Sequence, residues 1–297
     1  MCQSVVVAQS DERPAVSQVG RWVAQSLEQQ RPVEELLLEP HAAEVVKLSA
    51  GENLERATTA HVRLWMWLGD ARGIAPIKLL AERKSVDRFA AVRALVALDA
   101  PEAEKAALEL FEDEPQWGAP LVASYHGTHG NDTARRLLFG DEARHWQAAM
   151  WVLGNCRDYQ AMNALEERAR SLPPLGKVHF NLLYTALRRL RIEQRDVRPE
   201  ALWEYLEELK PQDLEERLWC LVELAHCHDQ AAVSRLQLAP WKERSNGHTT
   251  EAAVILWARH FGGDRLKPDE LHHLRLLRWR LSFIPGASRW PPRTGQD

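Results

Sequence analysis

Residues 145–169 read HWQAAMWVLGNCRDYQAMNALEERA. Ala149 and Leu153 fall on one face of a first helix, and Ala161 and Leu165 fall on one face of a second, the three- and four-residue return of an amphipathic helix. Between them, Gly154 suits a chain leaving a helix, and Asp158 before Tyr159 suits the start of the next. The stretch predicts a helix, a short turn and a second helix whose facing positions are small or aliphatic.

The same skeleton recurs along the chain. Leu68-Gly69 is followed by Ala75 and Leu79. Leu98-Asp99 has Ala94 before it and Ala103 and Ala107 after it, and Leu224 has Cys220 before it and Ala232 and Leu236 after it. With His126-Gly127 as the matching point, Val122 stands before and Ala134 and Leu138 after. Two looser copies centre on Leu190, followed by Ala201, and on Phe261-Gly262, followed by DELHHLRLLRWR. A period of roughly 27 to 37 residues, written as helix, turn, helix, is the mark of stacked helical pairs that bury their apolar stripes against neighbours. No period-two run of β-branched and aromatic residues competes with it.

The segments AAMWVLGNCRDYQAMNAL, VRLWMWLGDARGIAPIKLL and AAVRALVALDAPEAEKAAL resemble the HEAT-like (PBS-lyase-type) helical repeat proteins in their Ala-rich first helix, Leu-Gly end and Ala-x3-Leu second helix. The resemblance implies an all-α fold, a right-handed α-solenoid of about six to seven helix pairs. It implies three parts: an N-terminal helical cap over 1–56, the solenoid over 57–280 and an irregular Pro/Gly-rich tail over 281–297.

Composition bounds the function. With 297 residues, 45% hydrophobic and 27% charged, the chain is long and apolar enough to bury a large core. No apolar run is long enough to span a bilayer, and MCQSVVVAQSDE has no basic leader, so a cytoplasmic protein of bacterial type is expected, with no membrane partner. Four cysteines without framework spacing read as reduced thiols. A net charge of -4 gives no general attraction to phosphate, although the chain from Arg259 onward is basic and residues 28–56 are acidic.

The segment YHGTHGND, residues 125–132, looks like a catalytic or metal loop. The repeat places it at a turn, with Gly127 or Gly130 ending a helix and Asn131 or Asp132 capping the next. His126, His129, Cys156, His226, Cys227 and His228 all fall at such turns, and imidazole and thiolate suit zinc. Neighbouring pairs stack about 8–10 Å apart, so only His129 and Cys156 could share an ion, and no CxxC or HExxH spacing supports one. No metal and no other cofactor is expected.

Two enzymatic relatives of the architecture were weighed on their residues. The di-iron hydroxylases need paired His-Glu motifs, and no His here is followed by Glu. The DNA alkyl-base glycosylases are Trp-rich solenoids with a basic concave face, and this chain has twelve Trp. Its second helices are mixed, however: EAEKAALELFEDE and ALWEYLEEL are acidic, whereas ARRLL and HHLRLLRWR are basic. The aligned position just before each turn holds Trp67, Ala97, Tyr125, Val152, Arg189, Glu223 and His260, a mixture that suggests partial exposure. Trp65, Trp146 and Trp257 align with Leu95, Ala119 and Ala149 and are expected in the core. The expectation is a non-enzymatic protein-binding scaffold, an adaptor, assembly factor or toxin-neutralising inhibitor, contacting its protein partner through Trp67, Tyr125, His126 and His129. A DNA-binding alkyl-base glycosylase is the alternative.

Overall fold

The computed structural model describes residues 47, 54–69, 71–84, 86–125, 129–140, 142–155, 160–171, 186, 198–210, 212–237 and 246–287. Among these the regular structure is entirely helical. The helices are α1 Thr59–Leu68, α2 Ile74–Glu82, α3 Arg88–Ala97, α4 Ala103–Asp113, α5 Pro115–Ser124, α6 Asn131–Leu138, α7 Ala143–Asn155, α8 Ala161–Ser171, α9 Pro199–Glu208, α10 Leu214–His226, α11 Gln230–Ser234, α12 Asn246–Phe261 and α13 Pro268–Leu281. None of them is long and apolar enough to cross a membrane.

Some helix ends fall where the Leu-Gly and Leu-Asp spacing predicts, whereas Gly154 is buried inside α7, which runs on to Asn155. Leu68 closes α1, and Gly69 takes the left-handed conformation, φ 63, that turns the chain out of the helix. Asp99 does the same after α3 at φ 56, and His228 after α10 at φ 52. Asp tolerates this region better than most residues because its short polar side chain bonds locally. Asp87 caps α3 by accepting the Ala90 N–H at 2.7 Å, and Asp229 caps α11 by accepting that of Ala232 at 3.1 Å.

The facing residues of the repeat are in the interior. Ala94, Ala103, Ala107, Val122, Ala134, Leu138, Ala149, Leu153, Ala161, Leu165, Cys220, Ala232 and Leu236 are all buried. The first pair departs from the pattern: Ala75 is exposed and Leu79 half-buried, while Pro76, Ile77 and Leu80 are buried. The cause is the 3-10 turn Ala71–Gly73, whose Gly73 lies so close to the Trp65 indole that a Cβ there would collide with it. That extra turn rotates α2 onto a different face. At α6 the cap also differs from expectation: Gly130 is the cap residue, and neither Asn131 nor Asp132 caps with its side chain.

The chain divides into two compact units. One comprises residues up to Ala100 together with Lys267–Trp279. In it α1 and α2 both pack on α3. From Ala90 to Ala97, α3 is buried except at Arg93, so its apolar surface runs nearly all round, as the central helix of a small core requires. The segment from α13 completes this unit, with the Trp279 ring tilted against Trp67 at 5.9 Å, the Arg93 guanidinium 5.4 Å from the Trp279 ring, and Arg278 paired with Asp99 at 3.3 Å. The repeat spacing gives no hint of this return of the last helix.

The other unit comprises Pro101–Leu266 and the residues from Arg280. Here α4 packs on α5, α5 and α6 on α7, α6 on α8, α9 on α10, and α10 and α11 on α12. Gly118 permits the tightest of these approaches, because a Cβ there would run into the backbone of Phe111. Arg217 of α10 binds Glu251 of α12 through two nitrogens, at 3.0 and 2.6 Å. After α13, residues 282–287 form turns that are tied down: the Gly286 N–H donates to the Ala123 carbonyl at 3.0 Å, and His226 Nε2 donates to the Gly286 carbonyl at 3.0 Å.

Candidate functional site

The aromatic residues separate into those that fill seams and those that leave them. Trp65 and Trp257 are 0% exposed, as their offsets predict. Trp146 is not: it is half-buried, its indole N–H donates to the Gly140 carbonyl, and Arg168 lies over its ring at 4.2 Å. Arg168 Nη2 also donates to the Gly140 carbonyl, at 3.1 Å. One carbonyl therefore accepts from side chains of both α7 and α8.

The turn between α6 and α7 presents Phe139, which is 47% exposed, and Trp117, on the first turn of α5, is 48% exposed. They are the two large apolar side chains most open to solvent among the described residues. Topology puts both on one edge. A Cβ at Gly130 would meet Val122 and Val152, so the carboxyl ends of α5 and α7 lie together beside the Gly130 turn. Their amino ends, which carry Trp117 and follow Phe139, then lie together at the opposite edge. On the α4 side of Trp117 stands an acidic run: Glu112 and Asp113 end α4, and the Glu114 carbonyl opens α5 by accepting from Trp117 and Gly118 at 3.0 and 3.1 Å.

The residues singled out in the sequence lie elsewhere. Trp67 is half-buried against Trp279 in the other unit, and its indole nitrogen is buried without a hydrogen-bond partner. At the aligned position Ala97, Val152 and Glu223 are buried, whereas Trp67, Tyr125 and His260 are half-buried, so the position is divided between interior and partial exposure. Tyr125 is half-buried at the end of α5. His129 is exposed and its Nδ1 sits 2.7 Å from Glu104 Oε1, which ties the Gly130 turn to α4. His126, Cys156 and Leu190 lie outside the described residues, and Ala201, matched to the Leu190 copy, is exposed on α9. His226 packs against Trp257 and Phe261, with ring centroids at 5.9 and 5.0 Å, and His228 lies 5.5 Å from Phe261. Among the described residues no three His, Cys, Asp or Glu side chains converge as a metal site.

Sequence reasoning passed over Trp117 and Phe139. The signal for Trp117 was present: the matching position in other pairs holds Thr59, Phe89, Arg144 and Glu215, of which Arg144 and Glu215 are exposed. Phe139 had none, since it lies in a connection whose shape depends on the contacts of Gly140. Compared with other proteins, the chain matches no family model, no curated protein and no solved structure.

Proposed function

We propose that this chain is a HEAT-like array of helix pairs acting as a non-enzymatic scaffold that binds another protein, as an adaptor, an assembly factor or an inhibitor of the toxin-neutralising kind. The packing order supports the array: first helices lie on first helices, α1 on α3, α5 on α7 and α10 on α12, and second helices on second, α6 on α8. The observation that carries the function is the edge with Trp117 and Phe139. Two bulky aromatics exposed on a short helix start and a turn lose little entropy on binding, and such residues supply hot spots each worth about 2 kcal/mol or more.

The DNA-glycosylase reading has less support, because the arginines are matched by carboxylates. Arg135 faces Asp132 at 3.9 Å, Arg144 faces Glu142 at 2.5 Å, Arg170 faces Glu166 at 3.6 Å and Arg259 faces Asp264 at 2.7 Å. Arginines paired with carboxylates in this way attract a phosphate backbone less than unpaired ones.

Affinity capture with the full chain tests the proposal. One protein partner is expected at near-equal stoichiometry, lost by the Trp117→Ala/Phe139→Ala double variant. Tyr125 and His129, on the other edge, are a second contact candidate, and a Tyr125→Ala/His129→Ala variant decides their share, as Trp67→Ala does for Trp67. Binding to duplex DNA that weakens steeply as salt rises, with no protein captured, would replace this reading with the glycosylase one.

A further inference from the structure

Within the unit formed by residues 101–266 and those from Arg280, α4 to α8 pack on one another, and so do α9 to α12. Residues 282–287 are bonded to helices of both groups. Segments near a chain end normally run over the surface, because buried backbone must find hydrogen-bond partners. This one is buried at Ser282, Ile284, Gly286 and Ala287, and its bonds go to the ends of two helices.

The last carbonyls of a helix have no partner within it. Ala123 stands next to the end of α5, and its carbonyl accepts from the Gly286 N–H at 3.0 Å. The Gly286 carbonyl accepts in turn from Nε2 of His226, the last residue of α10, at 3.0 Å. Both polar groups of one residue are thus committed, each to a different group of helices. The His226 ring is itself seated against Trp257 and Phe261 of α12, with ring centroids at 5.9 and 5.0 Å. Gly286 takes φ 78, a conformation that glycine adopts freely and proline cannot reach.

We propose that residues 282–287 are a strap that fixes the spacing between the helices of 103–171 and those of 199–261, and that unseating it lets the two groups move against each other as separate bodies. One residue carries both bonds, so the two ties are lost together. A tail that merely covered apolar surface would need neither bond, and its displacement would leave the spacing as it was. This device goes beyond partner binding and stands without it.

Double electron-electron resonance on the full chain reads the spacing. Nitroxides are carried on keto amino acids encoded at the exposed positions Arg136 of α6 and Glu215 of α10, which spares the native cysteines. The unaltered chain is expected to give one narrow distance distribution. Gly286→Pro removes the donor and forbids the left-handed conformation, and should broaden the distribution to about twice its width or displace its centre by about 5 Å or more. His226→Phe keeps a ring beside Trp257 and Phe261 but cannot donate, and should act in the same direction by less. Helical circular dichroism is expected to stay unchanged in both. The same distribution in the folded variants as in the unaltered chain would make the segment a passive tail and overturn the proposal, as would a broad distribution in the unaltered chain. If Gly286→Pro does not fold, His226→Phe alone decides. Loss of helical signal in both would show that the segment holds the fold together rather than setting a spacing, and would overturn the proposal too.

Discussion

The helix pairs 59–82 and 115–138 follow one plan and treat their aromatic residues in opposite ways. In the first, Trp65 is wholly buried against Gly73, and Trp67 is covered by Trp279. In the second, the interior is filled by Ala119, Leu121, Val122, Ala134 and Leu138, while Trp117 and the adjoining Phe139 face solvent. Small and aliphatic residues suffice to close a seam between helix pairs, so an aromatic outside the seam is not explained by packing. The difference separates aromatic residues that close a seam from aromatic residues that reach solvent.

The largest effect expected from this contrast is in Trp65→Ala. Removing a fully buried indole costs about 3–5 kcal/mol, a fall in melting temperature on the order of 10 °C. Trp117→Ala, at a side chain already 48% exposed, should cost less than Trp65→Ala because less apolar surface is lost from the interior, and thermal denaturation of both variants measures the gap. Equal losses would erase the distinction between the two pairs.

Next comes Gly118→Ala. Its new methyl would collide with the Phe111 backbone, which yields less readily than a side chain, and the expected cost is about 1–3 kcal/mol. Gly140→Ala meets only the Leu137 carbonyl at 3.3 Å and serves as the mild control in urea denaturation.

A smaller effect tests the turn that follows α3. At φ 56, Asp99→Ala should cost about 1 kcal/mol, while Asp99→Gly should remain within about 0.5 kcal/mol despite losing the Arg278 pair. Equal melting of the two variants would show that the left-handed turn is not what Asp99 supplies.

The smallest effect concerns pH. The Arg144 side chain, hydrogen-bonded to Glu142, holds its carboxyl below the ordinary glutamate value. A depressed folded value means that the stabilisation is present above the unfolded glutamate value and is lost as pH falls through the folded one. Because Glu142 is fully exposed, the contribution is small and is better seen in a carboxyl carbon NMR titration. There, Arg144→Ala should bring the midpoint up.

Helix ends and seams were legible in the sequence because they depend on local spacing. Leu68-Gly69, Leu98-Asp99 and Tyr125 mark helix ends in the structure, and the small residues around Leu153 are buried. What depends on distant contacts was not legible. The contact of Trp279 with Trp67 joins residues far apart in the chain, and the exit of Trp146 from the core goes with its bond to the Gly140 carbonyl and the cover of Arg168. The aromatics of the candidate edge escaped notice for a related reason: periodicity identifies what must be buried and is silent about which of the remaining residues stay exposed.

The most direct test is quantitative capture of the protein partner by folded Trp117→Ala/Phe139→Ala chain against the unaltered chain at equal concentration. The account predicts at least a tenfold loss of partner with melting unchanged to within about 2 °C. Full retention of the partner by a double variant that melts normally would contradict it.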